Sequence, residues 1–202
     1  MEKTLLAYGP SLTTKQLQSL AKRSQEDDFK TLYVQELAVT RLPSPLHCGM
    51  LASLPFAGLM DEQLWYLGER AQTLGCKSFT FALSGGWVRD GRYAEIKDLL
   101  QNLQKRVSIQ LVPTLVLAQL DFDHLREAMQ LCFSLGIETL CMGTGTSLDT
   151  ADAATIAFAQ SLYRTQAIPL HQLEIASTEP LDGLEATNRI CLSQTSAESS
   201  SY

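Results

Sequence analysis

Residues 121–143 read D-F-D-H-L-R-E-A-M-Q-L-C-F-S-L-G-I-E-T-L-C-M-G and contain one helix followed by one strand. Asp121 is suited to cap the helix, apolar residues recur every three or four positions, and Gly136 suits a left-handed C-cap. The run T-L-C-M-G that follows is short and apolar, as a buried parallel strand is. The stretch therefore predicts a helix that packs one face against a parallel sheet.

The same alternation extends over most of the chain. Short apolar or β-branched runs predict eight strands, at 4–8, 31–34, 48–54, 78–83, 108–114, 139–143, 172–177 and 189–193. Amphipathic segments predict further helices at 13–28, 61–75, 92–106 and 149–164. Eight strands with helices between them predict a closed (β/α)8 barrel, and a doubly wound open sheet is the alternative.

The end of the chain is short for a barrel of this kind. Only about a dozen residues separate the last two strands, and the residues after 193 are polar. We therefore expect trimmed last βα units, one barrel domain over 1–195 and a polar tail over 196–202.

Composition excludes several function classes. The net charge of −6 and the scattered basic residues argue against nucleic acid as a partner. The N-terminal apolar run is too short for a signal peptide or a membrane span, so a cytoplasmic location without membrane association is expected. The five cysteines contain no C-x-x-C pair, and their odd number favours buried thiols over a disulfide framework.

The sixth predicted strand runs into a glycine-rich turn, E-T-L-C-M-G-T-G-T-S, over 138–147. Gly143, Thr144, Gly145, Thr146 and Ser147 precede a predicted helix, whose first turn has free backbone amides that can cradle an anion. Glycines at such a turn can equally serve backbone geometry alone.

Five motifs in order carry a family resemblance: S-G-G-W-V-R-D-G-R-Y-A-E-I, S-I-Q-L-V-P-T, L-G-I-E-T-L-C-M-G-T-G, L-E-I-A-S and R-I-C-L-S. Together with K-T-L-L near the N-terminus and S-L-P-F at 53–56, this series resembles the deoxyribose-phosphate aldolases. The resemblance implies a (β/α)8 class I aldolase with a lysine Schiff base at the end of the sixth strand.

The residues at the implied catalytic positions differ from those of the family. Its motif of lysine, threonine, serine, threonine and glycine, laid without gaps on C-M-G-T-G, places the Schiff-base lysine at Cys141, while Thr144 and Gly145 match. The acidic residue of the fourth strand falls at Thr80. The second lysine falls at Ile175, or at Glu174 if the register slips by one residue.

The implied phosphate site is altered as well. The resemblance requires a glycine pair after the seventh strand, where this chain has Thr178 and Glu179. A carboxylate repels phosphate unless a cation intervenes. Ser193 on the eighth strand and the turn residues Thr144 and Gly145 remain as candidate ligand-binding residues, together with Glu174.

Enamine catalysis needs a primary amine, which neither a thiol nor a thioether can replace. Lysine occurs only at positions 3, 15, 22, 30, 77, 97 and 105, all on or beside predicted helices or just before strands. We therefore expect a protein without Schiff-base aldolase activity that binds a small metabolite or a protein partner and needs no cofactor, and for which a homodimer is a candidate assembly.

Two enzymatic alternatives stay open at this point. One is a lyase or other barrel enzyme that acts on a carbonyl or sugar-phosphate metabolite without lysine, using Cys141, Thr80, Thr114 and Glu174. The other is an aldolase that uses a displaced lysine. Cys141 itself is expected to be a small core residue, and a reactive thiol is its alternative.

Other candidates are weaker. His47, His124 and His171 lack metal-ligand spacing, so no metal site is expected. Trp87 and Arg89 follow the fourth predicted strand and are candidates for a lid or a partner surface. The alternative for Trp87 is a side chain that packs over the barrel rim.

Overall fold

The computed structural model describes residues 3–7, 12–42, 47–54, 57–146, 149, 151–165, 173–177 and 186–192.

Eight parallel strands form a closed barrel in chain order. Their bounds are Lys3–Ala7 (β1), Thr31–Val34 (β2), Cys48–Ala52 (β3), Ser78–Ala82 (β4), Gln110–Leu115 (β5), Leu140–Met142 (β6), Leu173–Ser177 (β7) and Thr187–Leu192 (β8). Strands β1 and β8 pair over five positions, from Lys3 with Asn188 to Ala7 with Leu192. The (β/α)8 prediction is therefore confirmed, and the open-sheet alternative is wrong because the two terminal strands are neighbours.

Helices lie between the strands along the described chain. They span Thr14–Glu26 (α1), Glu36–Val39 (α2), Asp61–Thr73 (α3), Gly85–Arg89 (α4), Tyr93–Arg106 (α5), Phe122–Ser134 (α6) and Ala153–Thr165 (α7). A 3₁₀ turn covers Leu117–Gln119. The short helices α2 and α4 are absent from the sequence prediction, because one turn of helix gives no readable periodicity.

Local sequence explains where the longer helices begin and end. Asp121 accepts a hydrogen bond from the backbone N–H of His124, and Thr13 forms a capping box with Gln16. Gly136 has a φ of 73°, which confirms the expected left-handed end of α6. Helix α7 begins at Ala153 rather than at Asp149. The Asp149 carboxylate instead accepts hydrogen bonds from the backbone N–H groups of Thr144 and Ala118, which precede it in the chain.

Alternate strand residues point to the two sides of the barrel wall. The outer set packs against the helices in the main apolar core, as Ile175 and Met142 do. A second buried cluster takes its members from seven of the eight strands, and it marks the barrel interior: Leu6, Tyr33, Leu51, Val112, Cys141, Ala176 and Cys191. Side chains thus fill the interior in layers, as in other barrels of this type.

No helix in the described ranges is long and apolar enough to cross a membrane. The segment between β7 and β8, residues 178–185, and the predicted tail over 196–202 lie outside the described residues. The expectation of trimmed last units therefore stays a prediction for the helices that would follow β7 and β8.

Candidate functional site

The barrel interior contains a buried ion pair. Arg189 of β8 donates from Nε to Oε2 of Glu174 on β7 at 2.6 Å, and its Nη2 also contacts that carboxylate. The side chain of Arg189 is 1% exposed and that of Glu174 is 7% exposed. A buried pair of this kind depends on each partner, because removing either leaves an uncompensated charge away from water.

Arg189 extends across the barrel rather than along its own strand. Its Nη1 donates to Thr80 Oγ1 on β4 at 2.9 Å, and its Cζ lies 4.4 Å from the centroid of the Tyr33 ring on β2. The guanidinium thus joins strands β2, β4, β7 and β8 through charge-assisted and cation–π contacts. With Thr114, these side chains form what we call the interior polar cluster: Tyr33, Thr80, Thr114, Glu174 and Arg189.

The hydroxyl of Thr80 is fully used within this cluster. It donates to the carbonyl oxygen of Val112 at 2.9 Å and accepts from Arg189. Its oxygen also lies 3.2 Å from Thr114 Oγ1, and since the single Thr80 proton goes to Val112, Thr114 is the donor in that contact. Thr80 therefore has no proton or lone pair aimed at a substrate.

Burial governs the ionisation of the groups around Arg189. Burial raises the pKa of the Cys141 thiol well above its usual range, and nearby Arg189 only partly offsets this. Burial likewise raises the pKa of Tyr33 and that of Cys191, the latter to about 12. For Arg189, burial lowers the pKa, but the surrounding groups, the Glu174 carboxylate among them, more than offset this, so the guanidinium keeps its charge.

Cys141 lies inside the barrel and is 0% exposed. It pairs in register with Thr114 on β5 and Glu174 on β7, and its sulfur lies 3.6 Å from the carbonyl oxygen of Gly143. A neutral thiol in this position is a poor nucleophile, because nucleophilic attack requires the thiolate. The geometry and the raised pKa agree with a core residue rather than an activated thiol.

The structure separates the two candidate positions on β7. Glu174 points into the barrel and contacts Arg189, whereas Ile175 joins the outer core between sheet and helices. Of Thr80, Cys141, Glu174 and Ile175, the first three share the interior.

The glycine-rich turn, residues 143–146 with Asp149, is called the β6 loop below. Asp149 is 5% exposed and accepts three backbone N–H groups: Oδ2 from Thr144 at 2.7 Å, Oδ1 from Ala118 at 2.7 Å, and its carbonyl oxygen from Gly145 at 3.2 Å. The N–H groups of Thr144 and Gly145 therefore have acceptors within the chain. The expected anion cradle concerns the first turn of the helix that follows, and it stays a prediction.

Glycine in the β6 loop is required by backbone shape and close packing. Gly143 and Gly145 have φ values of 79° and 74°, which side chains other than glycine rarely adopt. A Cβ at Gly145 would lie 2.1 Å from the sulfur of Cys191. These two constraints explain the glycines without any ligand.

Every lysine of the chain lies within the described residues, and none is buried. Lys3 is partly exposed on the outer face of β1, and the remaining six are exposed, at positions 15, 22, 30, 77, 97 and 105. No amine of a lysine side chain therefore reaches the interior polar cluster.

Several sequence candidates fall elsewhere. Ser193, Thr178, Glu179, Ser147 and His171 lie outside the described residues. His47 is exposed, and His124 Nδ1 lies 2.8 Å from Asp121 Oδ1 at the start of α6. Among the described residues, no group of three or more histidine, cysteine, aspartate or glutamate side chains is arranged to hold a metal ion.

A cavity of about 480 Å³ lies beside the carboxyl ends of β3 and β4, and we call it the β3/β4 cavity. Ser53, Met60, Asp61, Ser84 and Trp87 are among its lining residues. Ser53 has a φ of 59°, a strained conformation for a residue other than glycine, and its Oγ accepts from the N–H of Gly58 at 3.0 Å. The cavity shares the barrel face on which enzymes of this fold hold their substrates.

Trp87 lies on helix α4, partly buried against the apolar core. Arg92 covers its ring, with Cζ 5.0 Å from the ring centroid. Asp61 also lines the cavity, and burial raises its pKa, with a further contribution from Glu62. Trp87 thus forms a cavity wall at the barrel rim, whereas Arg89 is exposed.

Sequence reasoning missed three residues that shape the site. The sequence places Arg189 and Tyr33 on strands without showing which way their side chains face, and it places Asp149 at the start of a helix. Side chains alternate along a strand, so Arg189 and Cys191, two residues apart on the eighth strand, face the same side. No comparable signal identifies Asp149, because its partner Ala118 is 31 residues away in the chain.

Comparison with solved structures finds the same barrel in aldolases. The chain aligns with a protein named QR15, described as an aldolase, at a TM-score of 0.78 and 12% identity, covering 94% of this chain and 89% of that one. A putative deoxyribose-phosphate aldolase from Coccidioides immitis aligns at a TM-score of 0.77 and 16% identity, covering 93% and 79%.

A deoxyribose phosphate aldolase from Aeropyrum pernix, described as having a unique tetrameric structure, aligns at a TM-score of 0.73 and 11% identity. That alignment covers 93% of this chain and 83% of the other. No protein-family model and no curated protein matches the chain. At these identities the likeness shows an aldolase-type (β/α)8 fold, and function has to be argued from the residues.

Proposed function

We propose that this protein is an aldolase-type barrel without Schiff-base aldolase activity, which acts in the cytoplasm as a binding or regulatory protein. Its ligand is a small metabolite or a protein partner, held at the face formed by the carboxyl ends of the strands. It needs no cofactor or metal, and a homodimer is compatible with this role.

The interior polar cluster is the observation that carries the proposal. A class I aldolase needs a lysine amine that adds to a carbonyl and an adjacent group that moves protons. Here the corresponding interior positions hold Cys141, Thr80 and Glu174, and Arg189 contacts Thr80 and Glu174. Each of these four side chains is at least nine-tenths buried, so they have one another rather than a substrate as partners.

The β6 loop supports the same conclusion. Phosphate binding at a helix N-terminus depends on free backbone N–H groups and favourable charge. The amides of Thr144 and Gly145 donate to Asp149, and the Asp149 carboxylate would repel a second anion. A sugar phosphate has no prepared phosphate position in the described part of this loop.

The β3/β4 cavity supports the binding role. Its volume is within the range of about 300–1,000 Å³ that small-molecule sites occupy. An aromatic wall from Trp87 and hydroxyl groups from Ser53 and Ser84 give it both apolar and polar surface. A ligand can occupy this cavity without disturbing the buried ion pair.

An enzyme that uses a non-lysine mechanism is the alternative, and Glu174 is the observation that favours it. A carboxylate beside an arginine inside a barrel can act as a general base when water or substrate reaches it. In this structure Glu174 forms an ion pair with Arg189 and is buried. A catalytic role for Glu174 therefore requires an opening of the barrel that admits water or substrate.

The test combines turnover with binding on one preparation. We expect no acetaldehyde release from deoxyribose phosphate above a buffer blank, while a metabolite screen by thermal shift finds a ligand. At a concentration 100 times its Kd, a ligand adds about 2.7 kcal/mol of stability, which raises the Tm by roughly 5–10 °C.

Trp87→Ala should abolish that shift, and Trp65→Phe is the matched control because Trp65 does not line the cavity. Acetaldehyde release that persists in the purified protein would contradict the loss of aldolase activity. A ligand whose shift is unchanged in Trp87→Ala would contradict the assignment of binding to the β3/β4 cavity.

A further inference from the structure

Two cysteines meet at the amino-terminal end of the barrel, opposite the face discussed above. Cys48 is the first residue of β3, and Cys76 lies two residues before β4. Their sulfur atoms are 3.8 Å apart, and both side chains are buried, at 9% and 2% exposure.

The backbone already brings these residues close enough for a disulfide. Strands β3 and β4 are parallel neighbours, and the N–H of Lys77 donates to the carbonyl oxygen of Cys48 at 2.9 Å. Gly49 pairs with Ser78, so Cys48 lies beside Lys77 and one position along from Cys76. A strand spacing of about 4.8 Å and a rise of about 3.3 Å per residue then give a Cα separation of roughly 6 Å, within the roughly 4.4–6.8 Å that disulfides span. Bond formation has to shorten the sulfur separation from 3.8 Å to about 2.05 Å.

Cys48 is the better placed of the two thiols to meet a peroxide. Its side chain is 9% exposed, against 2% for Cys76. The contact with Cys76 lowers the pKa of Cys48 against the opposing effect of burial, and Lys77 contributes in the same direction. We therefore assign Cys48 as the thiol that reacts first and Cys76 as the neighbour that resolves the product.

The other three cysteines lack this arrangement. Burial raises the pKa of Cys132 to about 12 and that of Cys191 to about 12, and it raises the pKa of Cys141 further. All three are at most 4% exposed. Oxidation is therefore expected to be selective for one pair out of the five thiols.

We propose that Cys48 and Cys76 form an oxidisable dithiol that a hydroperoxide converts into an intramolecular disulfide. The Cys48 thiolate attacks the terminal peroxide oxygen and the O–O bond breaks, which leaves Cys48 as a sulfenic acid. The leaving hydroxide of hydrogen peroxide, or the alkoxide of an organic hydroperoxide, takes up a proton to become water or an alcohol. The Cys76 sulfur then attacks the Cys48 sulfur, and the hydroxyl leaves with the Cys76 thiol proton as water. Two thiols are oxidised, and one hydroperoxide is reduced.

The proposal is independent of the proposed function, because the pair lies at the opposite end of the barrel. The disulfide would tie β3 to the start of β4 and close a loop of 28 residues. Such a cross-link restricts the unfolded chain, so the oxidised form should have the higher Tm.

The test treats the native wild-type protein with hydrogen peroxide, followed by alkylation, digestion without reductant and mass spectrometry. We expect a linked peptide pair joining Cys48 and Cys76, lighter by two hydrogen atoms, and a thiol count after unfolding that falls from five to three. Dithiothreitol should restore all five thiols.

Variants separate the two roles. In Cys76→Ala, Cys48 should stop at the sulfenic acid and be trapped by dimedone, whereas Cys48→Ala should give no dimedone adduct at Cys76. Cys132→Ala is the control, since it removes a buried thiol outside the pair and should leave the disulfide yield unchanged. Circular dichroism establishes that each variant is folded.

Five free thiols after exposure to peroxide that fully oxidises glutathione would overturn the proposal. A cross-link involving Cys141 or Cys191 in place of the pair would overturn it as well. The wild-type peptide map decides the matter even if a variant fails to fold.

Discussion

The barrel interior and the β3/β4 cavity differ in how their polar groups are satisfied. In the interior, Arg189 contacts Glu174, Thr80 and Tyr33, and every member of the cluster is buried. In the cavity, about 480 Å³ remains open beside Trp87 and Asp61. The cavity therefore offers space for a ligand beside the barrel axis.

The difference lies in how polar groups are accommodated away from water. Polar side chains in a low-dielectric interior are costly unless they are paired. Arg189 pairs with Glu174 and donates to Thr80, so these three side chains stabilise one another inside the barrel. The interior polar cluster therefore has a structural role that its described contacts account for.

Breaking the ion pair should have the largest effect. Glu174→Gln leaves Arg189 charged and uncompensated in the interior, which should cost roughly 3–5 kcal/mol of unfolding free energy. Urea unfolding followed by circular dichroism measures the loss. The matched control is Glu26→Gln, which removes an exposed pair with Lys22 and should cost less than about 1 kcal/mol.

A double variant sharpens this result. Glu174→Gln combined with Arg189→Met removes the charge as well as its partner, so most of the lost stability should return. If Glu174→Gln were as mild as Glu26→Gln, the interior pair would have to be solvated, and the contrast with the cavity would fail.

Removing the carboxylate that fills the β6 loop should have an intermediate effect. Asp149→Ala leaves the N–H groups of Ala118 and Thr144 without their side-chain acceptor, at a cost of about 1–3 kcal/mol. Inorganic phosphate should then stabilise the variant, because the two N–H groups that lose their acceptor can donate to a phosphate oxygen. Thermal unfolding with and without phosphate measures both effects.

Asp152→Ala provides the comparison for that experiment. Asp152 also accepts a backbone N–H, from Thr155 at 2.7 Å, but it is exposed at the start of α7. Phosphate should not stabilise this variant more than the wild type. Equal phosphate responses in Asp149→Ala and wild type would show that Asp149 does not occupy an anion position.

Replacing Cys141 should have a smaller effect, with a marked dependence on the new residue. Cys141→Ala should cost about 1 kcal/mol, from lost burial and a small cavity. Cys141→Lys should cost more, because an ammonium would be placed in the interior beside the charged Arg189 without an acidic partner at Thr80.

Activity provides the second measurement on these variants. Cys141→Lys should release no acetaldehyde from deoxyribose phosphate, since Glu174 and Thr80 remain bound to Arg189. Iodoacetamide labelling of the wild type should leave Cys141 unmodified at neutral pH. Rapid, selective labelling of Cys141 that a metabolite suppresses would show a working thiol site instead.

The sequence was sufficient to predict the barrel and its eight strands, because buried parallel strands and amphipathic helices leave clear periodic patterns. That Cys141 and Thr80 stand at the implied catalytic positions stays a prediction. The sequence left Glu174 and Ile175 undecided, since one residue of register reverses the direction of every side chain on a strand. The structure assigns Glu174 to the interior.

Long-range partnerships were beyond sequence reasoning. Arg189 contacts Thr80 across 109 positions of the chain, and Asp149 contacts Ala118 across 31. Neither pair has a spacing rule, because the pairing of strands across the barrel rather than local structure brings the residues together. The contact of Cys48 with Cys76 depends in the same way on the pairing of β3 with β4, so spacing alone does not predict it.

The central claim is that no lysine of this chain forms a Schiff base with a carbonyl substrate. The most direct measurement incubates the native protein with acetaldehyde or deoxyribose phosphate and borohydride, then maps modified peptides by mass spectrometry, with a lysine-dependent aldolase as the positive control. We predict no substrate-dependent adduct on any of the seven lysines beyond the level found in the unfolded protein. Selective labelling of a single lysine in the native protein, lost when the protein is unfolded before the incubation, would contradict this claim.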